Sequence, residues 1–254
     1  MGWFALALLL AAGFCGWNAR QQGRRLRILR AARSSSIAEL EDLRAAVSAD
    51  IGGGAFRELV KLEGDLVCEE PLQAPWSGLA CVAFIDTVTH LYQERVEEQS
   101  TDSQGRTTTT SRWEQREQQV SRLERRCPFR LRQGERELPI DPERAELEFE
   151  SVHSSLDSDA AAPGGALQRS QIRSLGLRRE EEVFRSGGSI FVVAEASDAG
   201  GELRLRHPEG EGLFLVRREG EQRVLARTVQ QRRGWWIGTG VLVVVALGLL
   251  VAAL

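Results

Sequence analysis

The sequence predicts an α+β membrane protein, with a predominantly β single domain between two transmembrane helices. Three observations predict it. Gly2–Trp17 and Gly234–Leu254 carry no charged side chain. Arginine-rich segments flank both runs on their inner sides. The long middle shows short strand-like runs separated by turns rich in Gly and Pro. With 254 residues, 42% hydrophobic and 27% charged, the chain is not disordered, collagenous or a small disulfide scaffold.

The first apolar run, GWFALALLLAAGFCGW, has 16 residues, about 24 Å as a helix. That is short for a hydrocarbon core of about 30 Å, but Trp3 and Trp17 bracket it and Arg20 follows within snorkelling reach. A cleaved signal peptide is the competing reading. No Lys or Arg precedes the run and the positive charge follows it, which favours a retained anchor. The second run has 21 residues, about 31 Å as a helix. Arg232 and Arg233 lead into it, and Trp235 and Trp236 sit where an aromatic belt is expected. These residues (Trp3, Trp17, Arg20, Arg232, Arg233, Trp235, Trp236) are the expected membrane interface.

Charge is strongly segregated. Residues 18–33 hold six Arg and no acid, and residues 217–233 hold six Arg against Glu219 and Glu221. The middle, 34–216, holds 34 Asp and Glu against 21 Lys and Arg. An acidic body repels a phosphate backbone, so no nucleic-acid partner is expected. Both collars lie on the inner side of their apolar runs. By the positive-inside rule the central domain faces the cytoplasm, and the collars suit anionic lipid headgroups.

Residues 34–50 predict a helix. Ser36 and Glu39 have capping-box spacing, Ile37, Leu40, Leu43 and Val47 share a face, and Gly52–Gly54 ends it. The period then changes to two. Leu59–Cys68 and Leu79–Val96 predict strands, joined by a turn marked by Pro71, Pro75 and Gly78. Gln99–Thr110 predicts a polar hairpin tip and Trp113–Glu124 the returning strand. Further strands are expected over Pro128–Arg132, Glu137–Ile140 and Ala145–Val152, and a loop over Ser154–Ser170. The segment LRREEEVFRSGG predicts a charged turn or short helix before a buried strand at Ser189–Ala196. Glu202–His207 and Gly212–Val216 close the sheet, and Arg217–Arg233 is helical into the second apolar run.

Signatures of chemistry are weak. There is no GxxxxGK, HExxH, GxSxG or SxxK, so neither a catalytic residue nor a metal or cofactor is expected. His90, His153 and His207 lack a His or Cys partner at helical spacing. The pair His153-Ser154 reads as solvated loop, and Glu180–Glu182 as a helix N-terminus or solvated face rather than a cation site. Cys15, Cys68, Cys81 and Cys127 read as small buried hydrophobes. A Cys68–Cys81 bridge is the alternative in an oxidising compartment.

The order of landmarks resembles the GIDE domain, also called BAM (beside a membrane), of the mitochondrial GIDE/mulan E3 ubiquitin ligases and their plant and bacterial relatives. The matching pieces are KLEGDLVCEEPLQAP with the Gly78 turn, LACVAF, the return strand near Trp113, CPFRL, LRREEEVFRSGGSIFVVAEAS, and a final helix. They cover about residues 57–254 and mark Gly64, Pro75, Gly78, Pro128, Phe129, Glu182 and Gly187 as motif positions with a structural role. In the ligases a RING finger follows the second membrane helix and holds two zinc ions through about eight Cys and His. This sequence has four Cys and three His, none after His207, so the resemblance carries over no ligase chemistry.

The resulting expectation is a RING-less, double-anchored protein of a bacterial inner membrane. Its β-rich domain would bind a protein or lipid partner at the bilayer surface without catalysis. The alternatives are an E3 ubiquitin transferase and an accessory subunit of a membrane protease or transporter.

Overall fold

The computed structural model describes residues 2–101, 107–158, 172–210 and 212–251. Its elements in order are α1 (Gly2–Ala31), β1 (Arg33–Ser34), α2 (Ile37–Ile51), β2 (Arg57–Val67), β3 (Leu72–Gln73), β4 (Ala80–Thr101) and β5 (Thr107–Arg126). They continue with β6 (Phe129–Gln133), β7 (Arg136–Ile140), β8 (Glu146–Leu147), β9 (Glu150–Asp157), β10 (Ile172–Arg185), β11 (Ser189–Ser197), β12 (Arg204–Arg206), β13 (Leu215–Arg217) and α3 (Glu221–Val251). The strand-rich middle, expected as one domain, divides into two compact units. One comprises 1–67, 128–148 and 187–254, the other 68–127 and 149–186.

The first unit contains an eight-stranded sheet in the order β1-β2-β6-β7-β12-β11-β13-β8. An added β2–β11 pairing closes β2, β6, β7, β12 and β11 into a ring. Strand β11 explains why its sequence is continuously apolar. Ile190, Val192 and Ala194 are buried on one face, and Phe191 and Val193 on the other. That second face packs with Leu29 and Ala32 of α1, Leu213 and Leu215, and Val224 of α3. A strand covered on both sides has no polar face to alternate with.

Helix α2 begins where its cap predicts. The Ser36 side chain accepts from the Glu39 N–H, and the Glu39 side chain accepts from the Ser36 N–H. Gly52 ends the helix at φ 91°, a conformation that favours glycine. Of its expected apolar face, Ile37 and Leu40 are fully buried. Helix α3 is anchored at its start by β2: Glu63 accepts from the Glu221 N–H at 2.9 Å, and Lys61 pairs with Glu221 at 2.6 Å.

Helices α1 and α3 pack antiparallel. Phe14 meets Trp235 edge-on at 6.4 Å, Gly16 faces Thr239, and Gly23 faces Arg232. The buried stripe Ala12, Ala19, Leu26 recurs every seventh residue, the spacing of a helix-pair seam. The expected interface residues Trp3, Trp17, Arg20, Arg232, Arg233 and Trp236 are exposed, and Trp235 is half-buried.

Among the described residues, no helix is long and apolar enough to cross a membrane. The apolar part of α1 is short and runs unbroken into Arg20–Arg30. In α3 it follows Arg232 and Arg233 and is diluted by Gly234, Gly238, Thr239, Gly240 and Gly248. This corrects the expected fold class of a membrane protein with two transmembrane helices. The expectations of an integral, multi-pass inner-membrane location, of a two-span membrane partner and of headgroup contact are corrected with it. The collars are also used inside the protein: Arg25 pairs with Glu146, Arg33 with Glu58, and Arg227 with Glu148 and Glu219.

The second unit is a five-stranded antiparallel sheet. Its path is β3-β4-β10-β9, and β5 pairs β4. Strands β4 and β5 run further than expected, with register from Ala83↔Arg126 to Thr101↔Thr107. Most of the expected tip is therefore ladder, and residues 102–106 lie outside the described part. A bulge at Val120 interrupts the pairing, where Val88↔Ser121 is followed by Thr89↔Gln119. The expected loop at 154–170 begins as strand β9; the part from 159 lies outside the described residues.

Candidate functional site

The turn between β3 and β4 and the strands β9 and β10 build a polar cluster in the second unit. Glu180–Glu182, expected as a turn or helix start, lie mid-strand in β10, each paired to β4 and β9. Strand alternation separates them. Glu181 is fully buried, and its neighbours Glu180 and Glu182 are half-buried. The Glu181 carboxylate accepts from the Trp76 N–H at 2.7 Å, the Ser77 N–H at 3.1 Å and the Ser77 hydroxyl. A buried charge needs such donors, and here they fix the turn that Pro75 and Gly78 (φ 66°) permit.

Trp76 spreads over this turn, 44% exposed. Its Nε1–H donates to Asp86 at 3.0 Å, the Arg179 guanidinium lies 4.7 Å from its ring centroid, and His153 stacks at 6.3 Å and 15°. His153 thus sits on strand β9, not in a loop, and its Nε2 meets the hydroxyl of Ser155 rather than Ser154. Every polar group named here has a partner within the cluster. Its chemistry is positional: it locks a turn and presents an indole.

The other histidines are far from this cluster in role. His90 Nε2 meets the Ser174 hydroxyl at 2.9 Å and its ring stacks on Tyr92, and His207 Nδ1 faces the Pro208 carbonyl oxygen. Among the described residues, no group of three or more His, Cys, Asp or Glu can hold a metal ion.

In the first unit, a cleft of about 240 Å³ is lined by Arg25 and Leu29 of α1, Leu215 and Arg217 of β13, and Glu219 and Arg227. Arg25 and Arg227 are paired with carboxylates, as above. Burial pushes the Arg217 guanidinium below its ordinary range, opposed by the charges of Glu148 and Glu146. Three arginines and three glutamates balance one another around the cleft.

The motif positions fall at constrained backbone. A Cβ on Gly64 would lie 2.6 Å from the Arg132 carbonyl oxygen, so only glycine lets β2 approach β6 there. Gly187 turns the chain at φ 76° between β10 and β11. Phe129 is buried at the start of β6 just after exposed Pro128, and Glu182 pairs opposite Ile85. These residues are dispersed through the fold and form no single constellation.

Local sequence signals do not single out Trp76 or Asp198, and they group Glu181 with Glu180 and Glu182 as a solvated face. A period-two reading of REEEVF would have put Glu181 on the face of buried Val183. Asp198 is buried and accepts from the N–H groups of Gly54 at 3.1 Å and Phe56 at 2.9 Å, and from Arg44 at 3.4 Å. Burial alone would raise its carboxyl, but these donors outweigh it and hold it below the usual range.

Strand β5 has a different character. It pairs with β4 alone among the described strands, and 18 of its 20 residues are exposed. Trp113, Val120 and Leu123 stand out on it at 41%, 41% and 48% exposure.

The family described as "GIDE: E3 Ubiquitin ligase" matches residues 97–252, more than half of the chain. The chain belongs to this family. The match starts inside β4, so Pro128, Phe129, Glu182 and Gly187 lie within it, and Gly64, Pro75 and Gly78 precede it. No curated protein and no solved structure matches the chain.

Proposed function

We propose that this GIDE-family chain serves ubiquitin ligation as a protein-recognition module, and that its partner adds an extended segment to the edge of β5 facing away from β4. One observation carries this reading: a 20-residue strand that, among the described residues, pairs with β4 alone, with 18 of its side chains open to solvent. The outer backbone groups of such an edge are satisfied by water or by another strand. Arg112, Arg116, Arg122 and Arg125 alternate with Glu114, Glu117 and Glu124 along it, which disfavours self-association and supplies charge for selecting a partner. The Val120 bulge twists the edge, limiting the length a partner strand can follow. The family description supports the ubiquitin context. Binding is assigned because a long exposed strand edge supplies backbone donors and acceptors for another strand.

Photo-crosslinking tests the reading. A photoreactive residue at Gln115 or at Gln119, both exposed and four apart before the bulge, is expected to capture the same protein. The two crosslinks should fall about four residues apart on one extended segment of it, as strand addition requires. Capture no greater than from Asp42, an exposed control on α2, would refute the proposal. So would crosslinks scattered over the partner.

A further inference from the structure

The sequence leaves Cys68–Cys81 as the bridge to consider, but the fold brings a different pair together. Cys68 and Cys127 Sγ atoms lie 3.7 Å apart, both half-buried and neither in a disulfide, 59 residues apart in the chain. Their approach is imposed from both directions. The strands they adjoin are in register, with Val67 opposite Arg130. The Cys127 N–H donates to the Val82 carbonyl oxygen at 2.9 Å, and its thiol faces the same oxygen at 3.5 Å. Cys81 is fully buried and its thiol is directed at the Leu72 carbonyl oxygen at 3.6 Å. Cys15 lies in α1, and no contact of it with another thiol is among those described.

We infer that Cys68 and Cys127 form an oxidative modification site, a dithiol that closes to an intramolecular disulfide when a small-molecule disulfide such as glutathione disulfide is supplied. The sulfurs need only approach from 3.7 Å to about 2.05 Å, within the reach of side-chain rotation once the backbone is held. The exchange balances in two displacements. One cysteine loses its proton to solvent, and its thiolate attacks a sulfur of glutathione disulfide. A mixed disulfide forms and one glutathione thiolate leaves. The second cysteine then loses its proton and attacks the protein-side sulfur, expelling the second glutathione. The dithiol is oxidised by two electrons, and one glutathione disulfide is reduced to two glutathiones. Burial, with the neighbouring Cys127 sulfur adding to it, raises the Cys68 thiol to about 11. The Cys68 thiolate is therefore scarce at neutral pH, and its share in the exchange grows as the solution becomes alkaline. The bridge would tie the two ends of the 68–127 segment, which carries β3, β4 and β5. The paired ribbon then becomes a covalently closed loop.

The test is thiol counting and peptide mapping on the full chain incubated with glutathione disulfide, then alkylated. Two of its four cysteines are expected to become unreactive, with the intact mass falling by two hydrogens and a linked peptide joining Cys68 to Cys127. Cys68→Ser and Cys127→Ser should each retain a glutathione adduct on the surviving partner, and Cys15→Ser and Cys81→Ser should close as the parent does. The oxidised parent should melt at higher temperature than the reduced form, a difference abolished by dithiothreitol and absent from Cys127→Ser. A Cys68–Cys81 peptide, stable glutathione adducts on both cysteines of the folded parent, or four reactive thiols after incubation would each overturn the inference. The parent's own map decides the matter even where a serine variant fails to fold.

Discussion

Glu181 and Asp198 are each a single carboxylate holding a turn in place, one in each compact unit. Glu181 accepts three hydrogen bonds from the 76–77 turn. Glu181→Gln keeps the shape but turns an NH₂ group toward those donors, and is expected to destabilise the chain by about 2–3 kcal/mol in urea unfolding. Ser77→Ala removes the hydroxyl alone and should cost about 1 kcal/mol by the same measurement. Asp198 predicts a pH dependence with a definite sign. Its folded carboxyl is held below the ordinary range. The stabilisation it supplies is therefore present above the unfolded value of about 4 and disappears as the pH falls through the lower folded value. Thermal melts from pH 7 to pH 3 should show a shallower acid decline for Asp198→Asn than for the parent.

Helix α2 and strand β2 show how far local signals reach at the scale of elements. The Ser36–Glu39 capping box is readable from two residues three apart and is present as read. Ser36→Ala is expected to cost about 1 kcal/mol, measured by chemical unfolding. Gly64 is different, because its need for glycine comes from the Arg132 carbonyl of another strand. Gly64→Ala should exceed the Ser36→Ala effect and weaken hydrogen-exchange protection across the β2–β6 pairing. The same contrast explains the misreading of Glu180–Glu182. Three consecutive acids favour a turn or helix start by local propensity, but pairing to β4 and β9 on both sides makes them strand. The apolar helix ends misled in another way: length and hydropathy of a run describe one segment, and the α1–α3 packing that buries Ala12, Ala19 and Leu26 involves two.

At the scale of the whole molecule, alternate segments of one chain supply two units, with passages at 67/68, 127/128, 148/149 and 186/187. No composition shift marks these points, which is why the middle reads as one domain. Two of its thiols make the folded state sensitive to alkali. Burial raises Cys81 to about 11, aided by the Glu181 and Cys68 charges, and Cys68 stands at about 11 as well. An unfolded thiol titrates near its ordinary 9, so the unfolded state loses its protons first as the pH rises. Stability is thus full below about 9 and declines toward about 11. Melting temperatures between pH 8 and pH 10.5 should fall, and Cys81→Ala should flatten part of that slope.

By itself the sequence determined what depends on neighbours within a few residues. That includes the α2 cap, the period-two strands β2, β4 and β5, the Gly and Pro turns, the doubly buried β11, and the ordered landmarks that place the chain in the GIDE family. Tertiary structure decided what depends on partners distant along the chain. Cys68 meets Cys127 across 59 residues, Trp76 meets Glu181 across 105, and Phe56 meets Asp198 across 142. Local propensity acts through the backbone of one segment, whereas these pairs exist only after strand register has fixed which segments lie side by side.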